Sequence, residues 1–519
     1  MVYSARYKSF SKDKQSFFSD VHTADDAKGR ANEKDYRFLA DNRLLIEQEF
    51  NQLFACLKKQ GTDRQDFWLY CYYCCIMLQN YYAAYDKKNK AQEYRQESEK
   101  LLHRCEHGSF PAEEVDSLQK KIATDLGVLA STPKHIAKIR DWLAFTNIHR
   151  IHFNFCRFTV KQTVLLANEL KWLEKLDQFL GTKSNIDGMV STLNAPGPVF
   201  NLLSVGLFAA RFIINAGLLL RHTFLPSEEE RALSMSARFY QELYARHCTM
   251  LNDVVWGTVN LLTNYASIFN ISGPVANWVT AGFLVFDVSL LIYRRHLAEK
   301  EYLFKKAEYL NEKRNYETLM NAASISIEEM KIYQARCKML DEQLSELELS
   351  WQTSSATFLF NVAAAALLMG GFTAALLLAT PAAVTVCYFV CTIAVAMYLT
   401  ADIYGKLHEK SRILQQKELE NKDTAIARAE MIAARNDFIL AMAKNIIIPL
   451  LIVTVFAVCW QAALILAAVY VGYECMHGYF KQLSPPNNNT ATLRASESHQ
   501  DENRDAEVDS HSAAPICCS

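Results

Sequence analysis

The sequence predicts an all-α, multi-span helical membrane protein with an N-terminal helical bundle and a juxtamembrane coiled-coil stalk. Three observations carry that expectation. Four blocks, Val199–Leu220, Val254–Tyr293, Ala356–Ile403 and Ile446–Tyr473, total 138 residues and contain only Arg211, Asp287 and Asp402 as charges, although charged residues make up 21% of the 519-residue chain. Nearly uncharged runs of about 18 residues or more read as membrane spans. Between them lie charged segments with three-to-four apolar spacing and glycine or proline punctuation, without alternating strand patterns. One of these segments carries a heptad seam.

The composition narrows the class. With 55 Lys+Arg against 56 Asp+Glu, the chain is near neutral, which argues against a nucleic-acid binder. Its 14 cysteines sit mostly in helical or apolar stretches, which favours a reducing compartment over a disulfide framework. Met1 to Lys8 leads into polar sequence, so no cleavable signal peptide is expected and an internal span would direct insertion.

Taken in order, residues 1–31 are polar and mixed in charge and are expected to form a flexible arm. Residues 32–195 read as a bundle of long helices. One pattern runs from Asn32 to Gln60 and stops at Gly61. A second opens with the capping-box spacing of Thr62 and Gln65, runs through the aromatic stretch Trp68 to Tyr73, and ends at His107 before Gly108. Pro111 starts a short helix, and Thr132-Pro133 starts one that extends to Leu180 before Gly181.

Residues 196–293 form the first membrane region, with a helical insert at 227–252. Val199–Leu220 is long enough to span, but Arg211 at its middle is costly there. Val254–Tyr293 breaks at Ile271-Ser272-Gly273-Pro274, which suggests a hairpin of two spans. Residues 353–403 break at Thr380-Pro381 and read as a second transmembrane hairpin. Residues 404–443 read as a single charged helix that packs on the stalk. Residues 444–483 hold a last transmembrane segment, read as one tilted span rather than two short ones, for a total of about five to seven. From 484 to 519 the chain becomes a disordered acidic tail, with two positive and six negative charges.

The stalk, residues 294–352, is the most informative soluble stretch. Met330, Tyr333, Cys337, Leu340, Leu344, Leu347 and Trp351 follow each other at alternating spacings of three and four, a seam sustained over three heptads. Ser326 and Glu329 supply its capping box, and Tyr302, Tyr309 and Tyr316 recur at seven residues upstream. The turn falls at 321–326. With no breaker between Trp351 and Phe358, the second arm can run unbroken into the membrane. The seam can bind a second copy or a helical partner, or pack against the other arm of its own hairpin.

Orientation follows the positive-inside bias. Arg294, Arg295, Lys300, Lys305 and Lys306 flank one span exit and Lys406, Lys410 and Arg412 another, so the stalk is expected on the cytoplasmic side. Counting back places the N-terminal bundle on the opposite side if Val199–Leu220 crosses. A domain of that size without a signal peptide is hard to translocate. Either the Arg211 block is re-entrant or in-plane, or the span count is off by one.

No catalytic constellation, metal site or cofactor motif stands out. Cys71 and Cys74, with Cys75 adjacent, form a CxxC pair, but on a helix rich in aromatics they read as core. His103 and His107 would lie about 45 Å away if that helix is continuous. His149 and His152, near His135 and Asp141, read as bundle-boundary residues rather than an acid-base pair. The SxxK spacing of Ser9 and Lys12 is read as chance. Within the spans, Arg211, Asn260, Asn264, Asp287 and Asp402 are the polar residues that would line an ion or substrate path, with helix-helix bonding as the alternative. Cys517 and Cys518 do not form a CaaX box but are candidates for lipidation.

The tail Ser496-Glu497-Ser498-His499-Gln500-Asp501-Glu502, after a multi-span helical body, resembles the C-terminal translocation signals of type IV secreted effectors of intracellular bacterial pathogens. The resemblance covers about 30 residues of the chain and is compositional; it implies delivery into a host cell and residence in a host membrane. The expected function is therefore non-enzymatic: scaffolding, tethering or membrane remodelling through the stalk, with the bilayer and a helical partner or second copy as partners. A channel or transporter is the alternative.

Overall fold

The computed structural model describes residues 2–60, 65–85, 88–108, 136–181, 183–321 and 326–459, with isolated positions from 462 to 469. Among the described residues every regular element is helical.

The first unit is a bundle. Helices α1 (Val2–Asp20) and α2 (Ala24–Asn32) occupy the segment expected to be a flexible arm, which is a correction to that reading. Phe10 and Phe17, seven residues apart, are buried in the bundle core, and a Thr23/Asp26 capping box starts α2. Three helices follow: α3 (Tyr36–Gln60), α4 (Gln65–Ala84) and α5 (Lys88–His107). Every residue from Phe67 to Leu78 is buried, because α4 is enclosed by its neighbours on all sides; a helix apolar all round belongs in such a place. The pattern expected as one helix from 62 to 107 is in fact two. They pack antiparallel, with Gln65 donating to the Cys105 carbonyl at 3.1 Å and Tyr82 stacked on Tyr94. Gly108 adopts a left-handed φ of 73°, the stop that its position predicted. Gly61, Thr62, Pro111, Thr132 and Pro133 lie outside the described residues.

The expected bundle boundary at 195 is also corrected. Helix α6 (Ile136–Glu169) leaves the bundle and lies among apolar helices, followed by a short α7 (Trp172–Leu180) and α8 (Ile186–Asn194). Lys171, at φ 57°, breaks α6 from α7, and Gly181 ends α7. Helix α9 (Gly197–Phe224) runs antiparallel to α6: Arg140 meets Asn215, Phe153 meets Phe200, and Lys161 meets Asn194, pairs whose numbers rise on one helix as they fall on the other.

Helix α10 (Met235–Asn264) absorbs both the expected insert and the first half of the expected hairpin in one rod, capped by Ser234. The turn at 265–272 then leads into α11 (Gly273–Met320), as Gly273-Pro274 predicted. Helix α12 (Ile327–Leu377) opens with the Ser326/Glu329 capping box and is 51 residues long, about 75 Å by helical rise. Both stalk arms therefore continue without a break into apolar sequence. Thr380-Pro381 starts α13 (Pro381–Leu399), as expected. The charged segment expected as one helix from 404 to 443 instead divides into α14 (Ala401–Leu419) and the start of α15 (Ala425–Val458), with Asn421 at φ 51° in the turn between them.

Five stretches are long and apolar enough to cross a membrane: Ile186–Phe224, Gly273–Met320, Ile327–Leu377, Pro381–Leu399 and Ala425–Val458. The apolar parts of the first four pack with α6 and α10 around a core that includes Phe155, Phe208, Trp256, Leu284, Leu368 and Val395, while Val453 and Ala457 of α15 pack with Cys156, Val160 and Leu193 in a smaller cluster. Small residues allow the closest approach. A Cβ on Gly371 would lie 3.0 Å from Cys391 Sγ and 3.1 Å from the Cys387 carbonyl, so α12 and α13 meet there almost backbone to backbone.

Candidate functional site

The stalk hairpin uses its heptad seam internally. Tyr302, Tyr309 and Tyr316 of α11 pack with Cys337, Leu340 and Leu347, joined by Tyr333, Leu344 and Trp351. Tyr302 stacks on Trp351 at 5.0 Å and Tyr316 on Tyr333 at 5.7 Å. Lys306 pairs with Glu348 at 2.7 Å and Lys313 with Asp341 at 2.5 Å, which fixes the antiparallel register. Of the seam residues expected to bind a partner, Met330 alone is exposed, near the tip.

A charged junction between bundle and stalk was not foreseen. Lys14 of α1 donates to Glu49 of α3 at 2.8 Å and to Glu312 of α11 at 3.0 Å. Glu49 also accepts from Tyr309 at 3.0 Å, Gln343 of α12 at 3.2 Å and Lys305 at 3.3 Å. Lys305 stands 4.0 Å from Glu308, and Tyr309 also bonds Gln52. The side chains of Lys14, Glu49, Lys305, Glu308 and Glu312 are all nearly buried, so two cations and three carboxylates share one water-poor site. Burial works against the Glu49 charge, but Lys14 and Lys305 outweigh it and hold the carboxyl well below the usual range. Glu308 behaves oppositely: burial, aided by Glu49 and Glu312 against Lys305 and Lys14, pushes its carboxyl up to about 7.

A second tie joins the bundle to α9 and α10. The Tyr85 hydroxyl donates to Glu242 at 2.7 Å and accepts from Arg246 at 3.2 Å, while its ring stacks on His222 at 4.3 Å. His222 in turn pairs with Glu230 at 2.6 Å. The sequence signal for these ties was weak, since the partners at the main junction are up to 298 positions apart.

Four of the five intramembrane polar residues gather between α9, α10 and α11. Arg211 Nε donates to Asp253 at 2.7 Å, a partner one position outside the apolar block. Asp287 accepts from Trp256 Nε1 at 2.6 Å, Asn260 donates to the Trp256 carbonyl at 2.8 Å, and Asn264 donates to Ser204 at 2.6 Å. Asp402 lies apart from them, exposed on α14. The bonds of Arg211, Asp287 and Asn264 join neighbouring helices, whereas that of Asn260 stays within α10.

Helix α5 packs back along α4, so the distance argument that separated His103 and His107 from the thiols fails. Burial raises the Cys71, Cys74 and Cys75 thiols far above their usual range and Cys105 to about 11, as expected of thiols packed in an aromatic core. Among the described residues no group of three His, Cys, Asp or Glu side chains could hold a metal ion. His149 bonds the Phe145 carbonyl on α6, and His152 is buried. His135, the Asp141 side chain, Cys517 and Cys518 lie outside the described residues. No family model, curated protein or solved structure matches the chain.

Proposed function

We propose that the protein is a non-enzymatic membrane scaffold or tether whose working part is a rigid head, the N-terminal bundle locked onto the stalk. The observation that carries this reading is the buried junction around Glu49, which fixes the bundle to α11 and α12, two helices that continue unbroken into apolar spans. Any load on the head is transmitted to the membrane without a flexible linker. With the seam occupied internally, the face left for a second copy or helical partner is the exposed pair Leu303 and Leu310, with Leu319, Ile327, Met330 and Ile332 exposed near the tip. Positive charge at the span exits supports a cytoplasmic head. The tail composition supports delivery by a type IV system into a host membrane.

The channel reading is the weaker one, because Arg211, Asn264 and Asp287 are each bonded to a neighbouring helix and Asp402 stands apart. The test is reconstitution of two fluorophore-labelled populations into one set of liposomes. Energy transfer that falls to the non-interacting baseline in Leu303→Glu/Leu310→Glu supports the scaffold. Transfer unchanged by that pair, together with an ion flux that Asp287→Leu abolishes, would transfer the assignment to a channel.

A further inference from the structure

About two-thirds of the way along α6 stands a cation with no counter-charge. Arg157 is 6% exposed, and its Nε and Nη1 atoms are buried without a hydrogen-bond partner. Its guanidinium lies over the rings of Phe158 at 5.0 Å and Phe200 at 5.6 Å. Its Nη1 sits 3.6 Å from where a Cβ on Gly197 would stand, against the first turn of α9, a 28-residue helix that begins without a side-chain cap. One turn on, Lys161 bonds the Asn194 amide oxygen at 3.2 Å. Among the described residues, no carboxylate pairs with Arg157 or Lys161. A buried guanidinium left unpaired costs several kcal/mol, so a chain that keeps one there gains most when an anion occupies the site. Guanidinium N–H groups match phosphate oxygens two at a time.

We propose that Arg157 and Lys161, beside the turn between α8 and α9, form a phosphate-binding site. The site lies beside the turn between α8 and α9, at the level where Phe158 meets Tyr388 and Thr159 meets Thr392 of α13. A phosphodiester headgroup and free phosphate present the same oxygens to these donors, and the test separates them.

The full-length protein is purified in phosphatidylcholine nanodiscs and in nanodiscs with one-third phosphatidylglycerol, and retained lipid is counted by native mass spectrometry. In a separate arm, inorganic phosphate is titrated against the phosphatidylcholine sample while thermal unfolding is followed. Retention of phosphatidylglycerol about 10-fold above phosphatidylcholine, lost in Arg157→Gln and partly kept in Arg157→Lys, supports the headgroup. A phosphate-dependent rise in Tm without lipid preference, lost in the same variant, supports free phosphate. Wild-type protein with neither effect overturns the proposal, as does an Arg157→Gln protein that keeps both. Should Arg157→Gln fail to fold, Lys161→Gln gives the graded loss, and the wild-type measurements decide by themselves.

Discussion

Replacing Glu49 by alanine tests whether bundle and stalk are one body. The carboxylate accepts from Lys14, Tyr309, Gln343 and Lys305, which come from three different helices. Without it Lys14 keeps Glu312 at 3.0 Å, but Lys305 is left with Glu308 at 4.0 Å. Removing one partner of a buried ion pair costs about 3–5 kcal/mol, and the hydrogen bonds from Tyr309 and Gln343 lie within that figure rather than adding to it. A cost of about 4 kcal/mol raises the population of the undocked state by about 10³. Hydrogen exchange of α1 amides reads that opening directly: protection in Glu49→Ala should fall by about 10³, while α13 stays as in wild type. Glu49→Gln, which keeps the shape and an acceptor, should fall less. Protection of α1 unchanged in Glu49→Ala would refute the idea that the junction holds the head. The acid limb follows from the same geometry. Because the folded carboxyl is held below its ordinary value, its contribution is complete above the unfolded pKa and disappears as pH falls through the folded one.

Other outcomes follow from neighbouring contacts. With its folded pKa raised to about 7 from 4.5, Glu308 favours the folded state below 4.5 and loses that contribution, about 3 kcal/mol, as pH rises through 7; Glu308→Gln should flatten the fall in Tm between pH 5 and 8, and an unaltered fall would count against the assignment. Gly371→Val should force α12 from α13 at a cost of about 1–3 kcal/mol, read as a lower Tm in detergent; an unchanged Tm would mean the two helices are not in contact there. Tyr85→Phe keeps the stack on His222 but removes the hydroxyl between Glu242 and Arg246, for a loss of about 1–3 kcal/mol in the exchange protection of α10; equal protection would show the tie to be unnecessary.

What was legible in the sequence was whatever is encoded locally. The Ser326/Glu329 box, the stops at Gly108 and Gly181 and the breaks at Gly273 and Pro381 act through backbone conformation within a few residues, and they appear where their chemistry puts them. The heptad seam was readable too, but its partner was not, because a seam says that a helix will be covered and not by which one. The junction was illegible for a stronger reason. Lys14 looks like an ordinary solvated lysine until α1 is known to lie between α3 and α11, and polar composition alone had assigned that segment to a loose arm. Phe10 and Phe17, one face of a helix, were the available signal.

The hardest question in the sequence was one of parity, and α6 answers it with a testable prediction. Counting only apolar blocks put the bundle and the stalk on opposite sides of the membrane, yet Glu49 binds both bundle and stalk residues directly. A crossing by α6 would put both on one side, and that is the prediction. Helix α6 runs antiparallel to α9 along its length and packs on α13, where Thr159 meets Thr392 at 3.0 Å. Its buried polar side chains, among them Asn147, Asn154 and Arg157, hid it from any reading based on hydropathy; packing against α9, α13 and α15 covers them. If α6 and α10 cross together with the five apolar stretches, Ser184, between α7 and α8, would lie on the side opposite the head. On a background without reactive cysteines, Ser184→Cys should then react with an impermeant maleimide from the side opposite to Glu346→Cys. Labelling of both from one side would remove α6 from the membrane and reopen the parity problem.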